Sequence, residues 1–189
     1  MIYQDEKEYQ ELKEKRTGTQ LIRQGKILEM RLDEVETPGG AAAQRELVRH
    51  LGAVCVVALT KAGEIVLERQ YRYPIDQVLT EIPAGKLDYA GEDPLAAAQR
   101  ELREETGFRA RQWTPLGHFY PAGAYSDEKI HMYLATDLEP GERDLDPDEN
   151  IRVFTMPLEE AVRAVMQGEI PDAKTQLGIL KAFRMMHGE

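Results

Sequence analysis

The stretch from Glu81 to Phe108 reads EIPAGKLDYAGEDPLAAAQRELREETGF, and the fold is decided here. A strand-like lead, Glu81-Ile82-Pro83, runs into a glycine turn at Ala84-Gly85 and then into a helix studded with glutamates. Asp93 suits an N-cap, Pro94 the first helical position and Gly107 the C-terminal stop. At about 100° per residue, Glu101, Glu104 and Glu105 fall on one arc of that helix. Leu95, Ala98 and Leu102 fall on the neighbouring arc, which should face the core, while Ala96 and Arg103 point away.

Three carboxylates one turn apart repel one another, at a cost of a few tenths of a kcal/mol per pair in solvent and more when partly buried. Arg100 alone is too little to balance them. A hard divalent cation would do so, because carboxylate oxygens suit Mg²⁺ or Mn²⁺. The Pro-Ala-Gly turn would bring a backbone carbonyl, that of Ala84, to the same ion. The plainer alternative is a solvated acidic helix face.

Arg100-Glu101-Leu102-Arg103-Glu104-Glu105-Thr106-Gly107-Phe108 resembles the second half of the Nudix box, whose pattern is G-x5-E-x7-R-E-U-x-E-E-x-G-U with U apolar. Glu92 stands at the matching distance before Arg100. One departure is visible: six residues, not five, separate Gly85 from Glu92. The extra residue falls in the loop between Lys86 and Gly91, so the helix and its glutamates are untouched.

Outward from this stretch, the 189 residues are enough for one good core plus a small accessory layer. With 24 Lys and Arg against 34 Asp and Glu, the formal charge is −10. That argues against a nucleic-acid backbone as partner, which calls for a basic face. It leaves an anionic small molecule open, since a metal supplies local positive charge. The single cysteine, Cys55, lies in the apolar run AVCVVAL and reads as core, in keeping with a reducing cytoplasm. Neither a signal peptide nor a membrane span is expected.

Residues 1–50 read as a short charged helix followed by three strands, Thr19–Arg23, Ile27–Val35 and Ala42–Val48. So thin a layer is weak alone and should lean on the main domain or on a second subunit. Residues 51–189 read as the main domain. Its strands are Ala53–Leu59, Glu64–Tyr71, Val78–Ile82, Trp113–Tyr120, Ile130–Thr136 and Ile151–Thr155, and its last helices are Leu158–Met166 and Asp172–Met186. Mixed strands with flanking helices predict an α/β/α sandwich, which the Nudix resemblance also implies.

Other candidates lie outside the box. Arg72 in Arg69-Gln70-Tyr71-Arg72 has the planar fork that suits phosphate, although a surface arginine at a strand end would look the same. Phe119–Glu128 is a loop of turn formers and polar groups, of the kind that carries sites on a rigid scaffold. In the acidic run Asp144–Glu149, Glu149 stands beside the strand from Ile151 and suits a general base, against the default of a solvated loop. His50, His118, His131 and His187 show no metal-ligand spacing.

Arg45-Glu46, Gln70-Tyr71-Arg72, Glu81–Leu87, Ser126-Asp127-Glu128, Asp148-Glu149 and Asp172-Ala173-Lys174-Thr175, in this order, resemble ADP-ribose pyrophosphatases of the Nudix superfamily. The resemblance implies Mg²⁺-dependent hydrolysis of ADP-ribose to AMP and ribose 5-phosphate. Ala84, Glu101, Glu104 and Glu105 would hold the metal, Mn²⁺ being a possible substitute. Glu104 and Glu149 would be catalytic, and Arg45, Glu46, Arg72, Ser126 and Glu128 would bind substrate. It also implies a homodimer with exchanged N-terminal strands. Two departures concern substrate choice: Ala122-Gly123-Ala124-Tyr125 lacks the family's proline, and His50-Leu51-Gly52-Ala53 replaces a His-Pro-Gly-Ala. Alternatives are a broader nucleoside diphosphate sugar hydrolase, acting on GDP-mannose or ADP-glucose, and a non-catalytic ADP-ribose sensor. In the N-terminal layer the aromatic residues that could stack a base are few, Tyr3 and Tyr9, and neither is well placed.

Overall fold

The structure is a computed structural model that describes residues 5–145 and 149–188. The chain forms two compact units. The first takes the described residues up to His50 together with Ala122–Glu128, and the second takes Leu51–Pro121 and the described residues from Lys129 onward.

In the first unit a short helix, α1 (Glu6–Leu12), precedes three antiparallel strands: β1 (Lys15–Gln24), β2 (Glu29–Glu36) and β3 (Ala42–Arg49). The β1–β2 turn closes through Gly25 N–H to Leu28 O at 2.8 Å, and the β2–β3 turn through Thr37 N–H to Ala41 O at 2.9 Å. Both turns fall at the Gly and Pro-Gly-Gly positions that punctuate the sequence. The loop Ala122–Glu128 is tied to β3. Val48 N–H donates to Tyr125 O at 2.8 Å, and Asp127 accepts from His50 N–H at 2.9 Å and pairs with Arg49 at 2.7 Å. The sheet is thin: Val35 and Asp33 are buried, while Leu21, Ile22, Ile27, Leu28 and Met30 are exposed.

The second unit is built around β4 (Ala53–Ala58), every residue of which is buried. Its side chains alternate between two clusters. Ala53, Cys55 and Val57 pack with Ala161, Ile179 and Ala182, which come from α3 (Leu158–Met166) and α4 (Ala173–His187). Val54, Val56 and Ala58 pack with Ala97, Ala98 and Leu102 of α2 (Pro94–Thr106). A strand covered on both faces needs an unbroken apolar run, which is what this sequence supplies. Burial holds the Cys55 thiol up at about 12, so this cysteine is inert packing.

Two sheets make the middle layer. One has the order β7-β4-β9-β8, with β7 (Ala84–Lys86), β8 (Arg109–Phe119) and β9 (Ile130–Glu139). The other has the order β10-β5-β6, with β5 (Glu64–Arg72), β6 (Gln77–Glu81) and β10 (Ile151–Pro157). Only β4 and β9 run parallel among the described pairs. This is the expected α/β/α sandwich, with α2 on one side and α3 and α4 on the other.

One expectation needs correction. Ala84-Gly85-Lys86 is not a turn but a short strand, paired to Cys55, Val54 and Ala53 of β4. The open edge of β4 has donors and acceptors to satisfy, and this segment satisfies them. Strand β8 also begins at Arg109, four residues before Trp113, because β9 runs on to Glu139 and pairs with it. Among the described residues no helix is long and apolar enough to cross a membrane.

Candidate active site

Helix α2 is set as its sequence demands. Asp93 accepts from the N–H groups of Leu95 and Ala96 at 3.4 and 3.2 Å, and Pro94 opens the first turn. Gly107 ends the helix with φ +78°, donating to Arg103 O at 2.8 Å. That conformation favours glycine, and a Cβ there would also come within 2.8 Å of Gly141 O. The extra residue of the preceding loop is absorbed in the Asp88–Glu92 turn, where Asp88 N–H donates to the Glu92 carboxylate at 2.7 Å.

With its ends fixed, the helix buries two of its glutamates against the strands. Glu101 and Glu105 are 8% and 2% exposed. Glu101 fits against Gly85 so closely that a Cβ at position 85 would lie 2.0 Å from its carboxyl carbon. Gly85 is therefore a space requirement of the site. Glu105 accepts from Ala84 N–H at 2.9 Å, so the helix and β7 are joined at this carboxylate. Glu104 is half-buried beside them.

Arg100 is the positive centre of this acidic group. Its guanidinium reaches Glu101 at 2.7 Å, Glu104 at 3.2 Å, Asp88 at 3.3 Å and Glu92 at 3.5 Å. Arg103, expected to point away, bonds Glu104 at 2.8 Å. Glu105 stands deeper, and its neighbours are other carboxylates. Burial first, then the charges of Glu68 and Glu101, push its pKa well above the usual carboxylate range. Glu101 is pushed up to about 7, chiefly by burial and against the pull of Arg100. Glu149 precedes β10 and adds its negative charge to the same group, raising Glu68, Glu101 and Glu105 alike.

Two residues of this region had been given no role. Glu68 of β5 is fully buried, its pKa raised by burial and by Glu81, and among the described residues neither of its oxygens has a hydrogen-bond partner. The sequence carried a signal for it: a glutamate ends the apolar run Ile65-Val66-Leu67, at the position whose side chain shares a face with Val66. Glu81, directly opposite Glu68 on β6, is also buried but well compensated. Arg72 grips it through Nε and Nη2, each at 2.7 Å, and Lys174 bonds its other side. The Asp172–Thr175 segment holds this arrangement. Asp172 caps α4 at Thr175 N–H, 2.9 Å, and Thr175 Oγ1 accepts from Ile82 N–H at 2.9 Å.

The expected site residues thus fall into two groups. Ala84, Glu101, Glu104, Glu105, Arg72 and Glu149 belong to the second unit. Arg45, Glu46, Ser126 and Glu128 belong to the first. There Arg45 pairs with Glu14, Ser126 Oγ accepts from Glu128 N–H at 3.1 Å, and Glu128 lies 3.7 Å from His50 Nδ1. Asp148 and Tyr3 lie outside the described residues.

A divalent cation suits the Ala84 carbonyl and the Glu101, Glu104 and Glu105 carboxylates of the second unit. The donors are all oxygens, as a hard ion requires, and Glu68 has two buried oxygens with no hydrogen-bond partner among the described residues. As placed, Arg100 holds Glu101 and Glu104, and among the described residues no three acidic side chains close around one point.

With this geometry in view, the chain can be set beside known proteins. Residues 48–176 match the NUDIX domain model. The chain belongs to the Nudix family, whose members generally use divalent cations. It is 42% identical over 170 residues to an ADP-ribose pyrophosphatase of Bacillus subtilis (strain 168), covering 89% of this chain and 91% of that one. A "Methanol dehydrogenase activator" of Bacillus methanolicus is 40% identical over 168 residues, covering 88% and 90%. An ADP-ribose pyrophosphatase of Mycobacterium tuberculosis is 39% identical over 173 residues, covering 90% and 84%. A solved structure described as an ADP compounds hydrolase superimposes with a TM-score of 0.82 at 22% identity, covering 93% and 95%, and shares the fold.

The raised carboxyls set the pH response of the cation-free protein. The unfolded chain loses these protons near 4.5, whereas the folded protein keeps them to higher pH. Their stabilisation is therefore complete below the unfolded value and is lost as pH rises through the folded ones. Thermal melts in chelator should show a melting temperature that falls between about pH 6 and about pH 9. In Glu105→Gln, which keeps the acceptor for Ala84 and removes the ionisation, the fall should be shallower. Parallel profiles would contradict the burial of charge at Glu105.

Proposed function

We propose that this protein hydrolyses the pyrophosphate bond of ADP-ribose, giving AMP and ribose 5-phosphate, with Mg²⁺ or Mn²⁺ as cofactor. The observation that carries the proposal is the 42% identity to an ADP-ribose pyrophosphatase across 91% of that protein. The oxygen-donor group on α2 and β7 agrees with it.

In this mechanism Glu101, Glu104, Glu105 and the Ala84 carbonyl would hold the cation. A bound divalent cation neutralises the diphosphate and lowers the pKa of bound water. Attraction between single opposite charges 4 Å apart is worth about 4 kcal/mol at an effective dielectric near 20, so each carboxylate counts. Glu149 accepts the proton of the attacking water. Its anchor is the start of β10, where Arg143 donates to Ile151 O at 3.1 Å while also donating to Glu105 O at 2.7 Å. One phosphorus–oxygen bond forms to water and the bridging bond breaks, with the bridging oxygen leaving on the other phosphate. Arg72, held by Glu81, presents positive charge at the end of β5, and Arg45, Glu46, Ser126 and Glu128 bind the substrate. The buried thiol of Cys55 accords with a cytoplasmic setting.

A second substrate range also has support. GDP-mannose pyrophosphatases of Cronobacter sakazakii and Escherichia coli are 32% and 28% identical over 70% and 75% of this chain. A panel of ADP-ribose, ADP-glucose and GDP-mannose, read by phosphate release after phosphatase coupling, separates the two. ADP-ribose should give the highest kcat/KM, and preference for GDP-mannose would overturn the proposal. Glu105→Gln should melt within about 5 °C of wild type near neutral pH. Its kcat should fall at least about 100-fold, roughly 2.7 kcal/mol of activation free energy. Wild-type turnover would remove Glu105 from the mechanism.

The first unit supports a homodimer built on its sheet. Three strands bury little by themselves, and Leu21, Ile22, Leu28 and Met30 leave apolar surface that a second copy would cover. Light scattering should give about twice the 21.5 kDa chain mass, and Leu28→Glu should shift the population toward single chains. A monomeric wild-type protein would exclude strand exchange.

A further inference from the structure

Glu68 is not accounted for by the roles above. It lies on β5, outside the helix that carries the other acidic residues, and it is 0% exposed. Among the described residues neither Oε1 nor Oε2 has a hydrogen-bond partner. A buried carboxylate left so is expensive, costing several kcal/mol unless something compensates it. Its nearest compensation is already spent. Arg72 and Lys174 both bond Glu81, the residue directly opposite on β6. Like charges facing each other across a strand pair are destabilising, so the second glutamate calls for its own partner.

The strand register says where that partner must lie. Side chains alternate along β5. Ile65 and Leu67 pack in the cluster with α3 and α4, and Val66 packs in the cluster with α2. Glu68 shares the face of Val66 and so points to the α2 side, where Glu105 and Glu101 are buried. Two buried carboxylates thus lie on the α2 side of the strands, one of them without a donor among the described residues.

We propose that Glu68 is a further ligand of the divalent cation, a carboxylate supplied by β5 to the group otherwise drawn from α2 and β7. This rests on the cation-binding role given above to Glu101 and Glu105. It adds to that role a fixed strand-borne oxygen on the buried side of the ion. Glu101 and Glu104 come from a helix face that Arg100 also occupies, whereas Glu68 competes for no cation of its own. The consequence is that affinity for metal depends on a residue outside the Nudix box.

The test is Mn²⁺ binding to the intact, ligand-free protein, followed by isothermal titration and by the rise in melting temperature on adding Mn²⁺, with no substrate present. Wild type should bind, and Glu105→Gln should lose most of the affinity. Glu68→Gln keeps the shape and removes the charge. It should bind Mn²⁺ at least tenfold more weakly, with a smaller metal-induced rise. Glu68→Asp keeps the charge but draws it back by one methylene, and it should fall between the two. Wild-type Mn²⁺ affinity in Glu68→Gln, with Glu105→Gln impaired, overturns the proposal and leaves the cation site itself standing. If Glu68→Gln does not fold, wild-type affinity in folded Glu68→Asp overturns it. No Mn²⁺ binding by wild type overturns both the cation site and this extension of it.

Discussion

A glutamate carboxylate occupies the space that any side chain at position 85 would need. This close approach between Glu101 and Gly85 sets a carboxylate of α2 against the backbone of β7. The rest of the second unit is arranged to permit it. Strand β7 can lie so close because it completes the edge of β4, and α2 can lie so close because Ala97 and Ala98 turn methyl groups, not larger side chains, to the sheet. Glu105 then reaches the N–H of Ala84. The outcome is a set of carboxylates pressed into a protein interface, where burial raises their affinity for protons and, by the same physics, for a metal ion.

The charges around this set divide into two kinds. Arg72, Glu81 and Lys174 form a closed group in which the buried carboxylate is answered from two sides. It ties β5, β6 and the start of α4 together. Arg100 answers the outer carboxylates from the helix itself and lies toward solvent. Between the two lie Glu68 and Glu105, for which the described side chains supply no full counter-charge. An uncompensated pair of this kind lowers the stability of the fold by itself. Its persistence is understandable where a ligand repays that cost when it binds.

Much of this was legible in the sequence because the signals are local. Asp93, Pro94 and Gly107 mark the ends of α2 by rules that depend on a few neighbouring residues. The spacing of Glu101, Glu104 and Glu105 places them on one face whatever the helix packs against. The apolar run of β4 announces a strand covered on both sides. Other features depended on partners distant in sequence. Ala84-Gly85-Lys86 looks like a turn until β4 offers it an edge. Glu68 looks like the last polar residue of a strand, and only the crossing of β5 with α2 makes it part of the site. Asp172–Thr175 was seen as a matching segment, but its work of holding Glu81 and Ile82 through Thr175 and Lys174 is a tertiary fact.

The central claim is that this buried carboxylate group is a cation site. The most direct measurement is anomalous X-ray diffraction from crystals grown with Mn²⁺. An anomalous peak is expected within direct coordination distance of carboxylate oxygens of Glu101 and Glu105 and of the Ala84 carbonyl, with Arg100 withdrawn from Glu101. Anomalous density confined to the outer acidic residues, with Arg100 still bonded to Glu101 and Glu104, would contradict it.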